Sequence, residues 1–140
     1  MDPTQCTCFH LRKASRSVTQ MFAGYMQPSG LEPTQFGLLT ILAQGGSLSI
    51  NQLADRLVMD RTTLTRNLKP VERQGLVKVV PGEDRRMRIV TLTARGRAKL
   101  EEALPLWRAA QKEIIKRLGG KRWSALISEL SATVDAARAP

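Results

Sequence analysis

The sequence contains few of the side chains on which enzymes and metal sites usually depend. It has one histidine (His10), two cysteines (Cys6 and Cys8) and only 4% aromatic residues. A glycine-rich phosphate loop, a histidine paired with a nucleophile and a cluster of carboxylates are all absent from the sequence. We therefore expect a protein that is not an enzyme, and we predict neither a cofactor nor a metal.

Long hydrophobic runs and a secretory signal are also missing. No stretch approaches the ~18–20 apolar residues that cross a bilayer. The first residues lack the basic-then-apolar order of a signal peptide. These absences predict a cytoplasmic location, where Cys6 and Cys8 would be reduced rather than joined in a structural disulfide.

Acidic residues are in the minority. The 140 residues include 22 Lys and Arg against 12 Asp and Glu, which gives a net charge of +10. Residues 56 to 99 hold 12 of the basic and four of the acidic side chains, so +8 of the charge lies in under a third of the chain. Charge this concentrated favours a polyanionic partner, first of all nucleic acid. The length predicts one domain, residues 1–140.

Apolar residues recur at helical spacing over much of the chain. Residues from about 5 to 27 predict a long first helix, whose apolar side exceeds the needs of one small core and suits a second chain. Further helices are predicted for about 33–44 and 50–57, the latter opening with the capping pattern Ser49-x-x-Gln52. Asp60 is the expected N-cap of a fourth helix, which Pro70 should bend.

Two β-rich runs follow the fourth helix. They cover residues 76–80 and 86–92 and are joined by a Pro-Gly-Glu-Asp turn signal. A short capped helix, a tight turn, a longer helix and a hairpin define a winged helix-turn-helix, about residues 33–93. Thr93 can cap a fifth helix, kinked at Pro105, and a last helix covers about 121–138. The predicted fold is mainly α with a small β-hairpin wing (α+β).

The helix that begins after Asp60 has one apolar and one polar side. Leu64, Leu68 and Val71 recur at i, i+4 and i+7 and should face the core. Arginine can bind guanine bidentately, and threonine offers a hydroxyl and a methyl to base edges. The predicted base-reading residues are Arg61, Thr62, Thr63, Thr65, Arg66 and Lys69. At the start of the preceding helix, the predicted phosphate contacts are Ser49, Asn51 and Gln52.

At the tip of the hairpin, acidic residues precede basic ones. Asp84 is expected to hold the Arg86 side chain, because a pre-oriented arginine loses less entropy on entering a narrow minor groove. Arg88 shares the strand face of Arg86 and suits a phosphate. The alternative interpretation is a loop-tip ion pair of negligible energy. The predicted wing contacts are Asp84, Arg85, Arg86 and Arg88.

These residues resemble the multiple antibiotic resistance regulator (MarR) family of bacterial transcription factors. The resemblance covers about residues 8–134, and its most specific part is the wing signature D-x-R followed by L-T, here Asp84, Arg86, Leu92 and Thr93. The runs DRTTLTRNLKPVERQGLV and LEPTQFGLL are similar to the recognition helix of the family and to the start of its second helix. Glu32 departs from the pattern, because the family often has Ser or Thr there, and a weaker cap is expected.

The resemblance implies a homodimer. Its terminal helices, about residues 5–27 and 94–138, would intertwine, and each subunit would present one winged helix to half of a pseudo-palindromic operator in double-stranded DNA. Members are mostly repressors whose DNA affinity falls when a small, often aromatic acid binds or when cysteines are oxidised. An effector pocket would lie between the dimerisation helices and the winged helix. Met21, Phe22 and Trp107 could line it, with ordinary core as the alternative role for each.

The motif Cys6-x-Cys8-x-His10 admits three interpretations. The residues can be frayed or buried at a helix start, the thiols can form a redox switch, or the group can bind a metal. Two thiolates two residues apart lie about 200° apart around a helix, so they share a metal only if the segment is extended.

Two other functions remain alternatives to a sequence-specific repressor relieved by a small molecule. A redox-sensing repressor of the same fold would depend on Cys6 and Cys8. A non-specific architectural or RNA-associated winged helix would show a steep salt dependence without sequence preference.

Overall fold

The computed structural model describes residues 1–140 and consists mainly of six α-helices. They are α1 (Thr7–Met26), α2 (Pro33–Gly45), α3 (Ile50–Leu57), α4 (Arg61–Arg73), α5 (Ala94–Leu118) and α6 (Gly120–Arg138). Three short strands complete the fold: β1 (Leu48–Ser49), β2 (Val77–Pro81) and β3 (Arg88–Leu92). The expected mainly helical class with a β-hairpin wing is confirmed. Pro70 and Pro105 lie inside α4 and α5, and both helices continue past them.

The sheet is antiparallel and has the order β1-β3-β2. In the hairpin, Val77 pairs with Leu92 and Pro81 pairs with Arg88, while Leu48 of β1 pairs with Val90. Strand β1 is not predicted from the sequence, because two residues carry no periodicity. It joins the start of α3 directly to the wing.

One hydrophobic core lies beneath the winged helix. Leu39 of α2, Leu53 of α3, Leu64 of α4 and Val90 of β3 are all fully buried and belong to a cluster of 17 buried residues. Burial of such side chains contributes about 1.5–3 kcal/mol each. The terminal helices differ sharply, because α6 buries no residue and α1 buries only Met26. None of the helices combines the length and the apolar character needed to cross a bilayer.

Side-chain caps define where three helices begin. Asp60 caps α4, Ser49 caps α3 and Thr93 caps α5, each by accepting a backbone N–H from the first turn. At α2 the Glu32 N–H donates to Gln35 Oε1 at 3.0 Å. This bond supplies the reciprocal half of a capping box, so the absence of Ser or Thr at position 32 is partly compensated.

The turn between α3 and α4 contains a left-handed residue. Val58 has φ 52° and ψ 45°, and its N–H bonds to the carbonyls of Ala54 and Asp55. A β-branched residue adopts this conformation only at a cost of about 1–3 kcal/mol. The neighbouring contacts therefore hold the turn, and with it the angle between the two helices.

The first turn of α5 approaches the start of β2 very closely. A Cβ at Gly96 would lie 2.0 Å from the Leu76 carbonyl oxygen and 2.7 Å from Leu92 Cδ1. Thr93 Oγ1 donates to the Gly75 carbonyl at 2.6 Å and accepts the Gly96 N–H at 3.0 Å. Position 96 therefore accommodates only glycine.

We expect Gly96→Ala to lower the free energy of unfolding by about 1–3 kcal/mol, because the new methyl meets backbone that cannot move aside. Chemical denaturation measures the change. Gly24→Ala is the matched control, since a Cβ there meets nothing within 4 Å, and alanine should stabilise α1 by up to about 1 kcal/mol. Equal stability of the Gly96 variant and the parent would contradict the close-approach argument.

Candidate nucleic-acid interface

The exposed side of α4 presents a continuous polar face. Leu64, Leu68 and Val71 are buried at 0%, 3% and 0% exposure, which turns the opposite side of the helix outward. That side forms a shallow depression of about 400 Å³ with no hydrophobic lining residue. Its five lining residues all belong to the predicted base-reading set: Arg61, Thr62, Thr65, Arg66 and Lys69.

Thr63 is separated from this face by its role in the helix cap. Its N–H donates to Asp60 Oδ1 at 2.8 Å and its hydroxyl donates to Asp60 Oδ2 at 2.8 Å. The backbone bond from Thr63, followed by its hydroxyl bond, holds the pKa of Asp60 below the usual value. Thr63 therefore stabilises the start of α4, and a base contact through its hydroxyl is not supported.

Thr65 differs from Thr63 because it stays exposed. Its hydroxyl donates to the Arg61 carbonyl at 2.9 Å, which uses its single proton. The methyl group and the oxygen lone pairs remain available, so Thr65 can still contact a thymine methyl or accept from a base amine.

The start of α3 contains a reciprocal capping box. The Ser49 hydroxyl accepts the Gln52 N–H at 3.1 Å, and the Ser49 N–H donates to Gln52 Oε1 at 2.9 Å. Ser49 is only 5% exposed, so the prediction that its hydroxyl meets phosphate is not supported. Asn51 and Gln52 are exposed, and the Gln52 amide nitrogen keeps both donors.

The wing tip is ordered by backbone hydrogen bonds. Gly82 N–H donates to the Met87 carbonyl at 2.8 Å, and Met87 N–H donates to the Asp84 carbonyl at 2.9 Å. Asp84 Oδ1 accepts the backbone N–H of Arg86 at 3.0 Å, and the two side chains form no ion pair. The expectation that Asp84 holds the Arg86 side chain is therefore wrong. Asp84 fixes the backbone from which that side chain projects.

Three wing arginines extend into solvent. Arg85, Arg86 and Arg88 are exposed and have no acidic partner. These arginines and the basic side chains on the exposed side of α4 have no acidic partner, which suits contact with phosphates and with a narrow minor groove.

The three predicted effector-pocket residues do not share one cavity. Phe22 lines an apolar groove of about 430 Å³ between α1, α5 and α6, whereas Trp107 lines a cavity of about 380 Å³ between α2 and α5. Met21 lines neither of the two. In the α2–α5 cavity Trp107 stacks on Phe36, with ring centroids 5.7 Å apart and planes at 19°. Sequence reasoning did not single out Phe36 or Arg97 at this cavity, because neither belongs to a recognisable motif.

Cys6 and Cys8 are both exposed and free at the start of α1. Cys6 is the N-cap residue, with extended backbone at ψ 121°, so helical phase does not describe its relation to Cys8. His10 Nε2 lies 2.9 Å from the Thr4 carbonyl oxygen. The first interpretation of the motif was buried or frayed residues at a helix start, and the exposed thiols contradict burial.

Helix α3, helix α4 and the β2–β3 hairpin form a winged helix-turn-helix. Its exposed basic side chains are typical of a nucleic-acid-binding protein. Residues 29–87 match the MarR family profile. The chain belongs to the MarR family of DNA-binding transcriptional regulators.

Known relatives and structures agree with this assignment. The transcriptional regulator MosR of M. tuberculosis, solved in complex with DNA, is 39% identical with a TM-score of 0.84, over 96% of this chain and 100% of that one. The organic hydroperoxide resistance transcriptional regulator of Bacillus subtilis is 29% identical over 71% of this chain and 68% of that protein. The transcriptional activatory protein BadR of Rhodopseudomonas palustris is 33% identical over 76% of this chain and 64% of that protein.

Proposed function

We propose that this regulator is a sequence-specific homodimeric repressor that reads a pseudo-palindromic operator in double-stranded DNA. The observation that carries the proposal is the polar face of α4, which holds five exposed polar side chains, three of them basic and without an acidic partner; the wing adds three exposed arginines. In the proposed complex α4 enters the major groove and Arg86 enters the adjacent minor groove.

The side chains divide into readers and anchors. Arg61 and Arg66 offer guanidinium groups that bind guanine O6 and N7 bidentately, and Thr62 and Thr65 offer methyl and hydroxyl groups. The anchors are side chains suited to phosphate oxygens: Asn51, Gln52, Lys69 and the wing arginines. Contacts to phosphate fix the register of the protein on the duplex without reading its sequence.

Exposed apolar side chains on the terminal helices support the homodimer. Leu126, Ile127, Leu130 and Val134 of α6 are 38–47% exposed, and Leu11 and Val18 of α1 are 36% and 40% exposed. They recur on one side of each helix, and all of them except Val134 line the groove between α1, α5 and α6. In the proposed dimer a second copy of the chain covers these apolar surfaces. The same contact sets the distance between the two winged helix-turn-helix units. Residues 5–27 and 94–138 are thus the proposed dimerisation helices, and 33–93 the reading domain.

Base reading is tested with two arginine variants on an operator recovered by selection from random duplexes. Arg66→Ala should reduce discrimination at one base pair of each half-site by about 1–3 kcal/mol. Arg86→Ala should weaken binding without altering base preference at the positions that α4 reads. Mobility shifts with operator and single-base variants measure both effects.

Arg73→Ala is the control, since Arg73 is an exposed arginine at the far end of α4 and outside the reading face. Unchanged operator binding by both test variants would contradict the site. Selection that returns no motif, with steep salt dependence, would instead support a non-specific architectural protein.

The dimer is tested by placing a charge within the apolar stripe. Ile127→Glu should convert a parent of twice the 15.5 kDa chain mass into a monomer, because a buried carboxylate lacks a partner there. Light scattering after gel filtration measures the mass. Ser128→Glu makes a comparable change at the adjacent exposed position and should leave the dimer intact. A monomeric parent, or a dimeric Ile127→Glu variant, would contradict the proposal.

Relief of repression by a small aromatic acid is supported by the α2–α5 cavity. Phe36 and Trp107 provide aromatic surface, and Arg97 lines the same cavity of about 380 Å³ with Glu101 and Gln44. A guanidinium beside aromatic rings suits the carboxylate and the ring of an aromatic acid. The effector site proposed from the structure therefore retains Trp107 and leaves out Met21 and Phe22.

Cysteine oxidation is the second candidate for relief. Both thiols are exposed at the first turn of α1, and a relative carries organic hydroperoxide resistance in its name. A thiolate attacks the peroxide oxygen distal to carbon, which forms a sulfenic acid and releases the alcohol after protonation. The second thiol then displaces water to form a disulfide. Two thiols and one hydroperoxide thus give a disulfide, an alcohol and water, and α1 would shift within the proposed dimer.

One experiment separates the two mechanisms. Preformed operator complexes are challenged either with aromatic carboxylates or with an organic hydroperoxide. Carboxylate release that is lost in Arg97→Met but kept in Arg95→Met supports the cavity, because both arginines lie at the start of α5 and only Arg97 lines it. Hydroperoxide release that is lost in Cys8→Ser supports the thiols.

Release by neither agent would contradict both mechanisms.

Because BadR is named an activatory protein, a promoter fusion carrying the selected operator decides the direction of control. Repression is expected when the operator overlaps the promoter.

A further inference from the structure

The far end of α6 lies beside the proposed DNA-reading surface. Arg138, in the last turn of α6, donates from Nη2 to Asp55 Oδ1 of α3 at 2.8 Å. This is the ion pair that joins α6 to the winged helix, and its partners are 83 residues apart in the chain. The ion pair thereby holds a residue of a proposed dimerisation helix next to the winged helix-turn-helix.

Arg138 shares its surroundings with proposed DNA contacts. Asn51, Asp55 and Val58 recur at i, i+4 and i+7 across α3 and its C-cap, and they line one surface depression of about 460 Å³ with Arg61 and Arg138. Arg61 also lines the reading face of α4. The depression therefore continues that face toward α6.

The charges explain why an arginine matters at this position. Asp55 places a carboxylate on a surface otherwise suited to phosphates, and an unpaired acid there would repel the duplex. Arg138 neutralises it, and only one of the five guanidinium N–H donors is used in the pair. The side chains are 51% and 72% exposed, so the pair itself adds little to stability.

We propose that Arg138 is a further DNA contact, a phosphate-binding residue that α6 contributes and that offsets the charge of Asp55. The proposal rests on the proposed reading surface of α4 and extends it. The ligand is the phosphodiester backbone of the duplex, which a guanidinium binds without regard to sequence. Bound DNA would then touch the dimerisation helix directly as well as the winged helix.

An alternative role would be a strut in which the ion pair only holds α6 in place. The two roles predict opposite behaviour on removal of Asp55. A strut fails when either partner is lost, so both variants would weaken DNA binding. A phosphate contact instead gains when the repelling carboxylate is removed.

The test measures the affinity of Arg138→Ala, Asp55→Asn and the double variant for operator and for a random duplex over about 0.05–0.3 M salt. Arg138→Ala should weaken binding to both duplexes by about tenfold at low salt, and the salt slope should fall by about 0.9. Asp55→Asn should strengthen binding by a few-fold. Lys121→Ala, which removes one charge from the opposite end of α6, should change affinity less than twofold.

Three outcomes would overturn the proposal. Equal weakening by Arg138→Ala and Asp55→Asn with an unchanged slope indicates a strut. An equal loss in Lys121→Ala indicates a general charge effect. Parent-like affinity of Arg138→Ala shows that no contact is made. Failure of the reading surface is distinguishable, because it removes the parent's preference for operator over random duplex, whereas Arg138 affects both duplexes alike.

Discussion

The junction between the wing and α5 ties the parts of this regulator together. Thr93 bonds to the carbonyl that follows α4 and caps α5, while Gly96 lets α5 lie against the backbone of Leu76. These contacts fix the first turn of α5 against the backbone that connects α4 to the wing. A ligand or a bond that shifts the start of α5 would therefore act directly on the segment that follows α4. This rigid connection offers a physical route from the helical half of the chain to the DNA-binding half.

Element types and bounds could be predicted from the sequence because they depend on local signals. The spacing of apolar residues indicates which segments are helical, and it extends over only a few turns. The helix starts depend on single residues close to them, namely Pro33, Ser49 and Asp60. Strand β1 escaped prediction because Leu48 and Ser49 become a strand only by pairing with β3. Apolar spacing likewise placed Phe22 and Trp107 on the apolar faces of their helices. It could not show that the two side chains line different cavities. Those facts depend on contacts between residues far apart in sequence.

Polar residues of the reading region fall into two groups that composition alone does not separate. Ser49, Thr63 and Asp84 have short side chains that find backbone or neighbouring partners, so they build the scaffold. Arg61, Arg66 and Arg86 are long, exposed and without acidic partners. The same sequence run thus provides both the frame and the groups that remain free for a polyanion. Net charge predicted the partner class, and hydrogen bonding decides which residues are available to it.

Helix α6 comprises 19 residues, none of them buried within the chain. In proteins most of the stability of a helix comes from tertiary packing of its apolar face rather than from its intrinsic propensity. Part of the packing of α6 comes from α1 and α5, with which it lines the apolar groove. A partner that covers the remaining apolar surface links the folding of α6 to association by mass action. If a second copy supplies the cover, helix content would rise with the concentration of the chain. The concentration of the protein in the cell would then set the fraction of molecules in which α6 is folded, and a change in gene dosage would change that fraction.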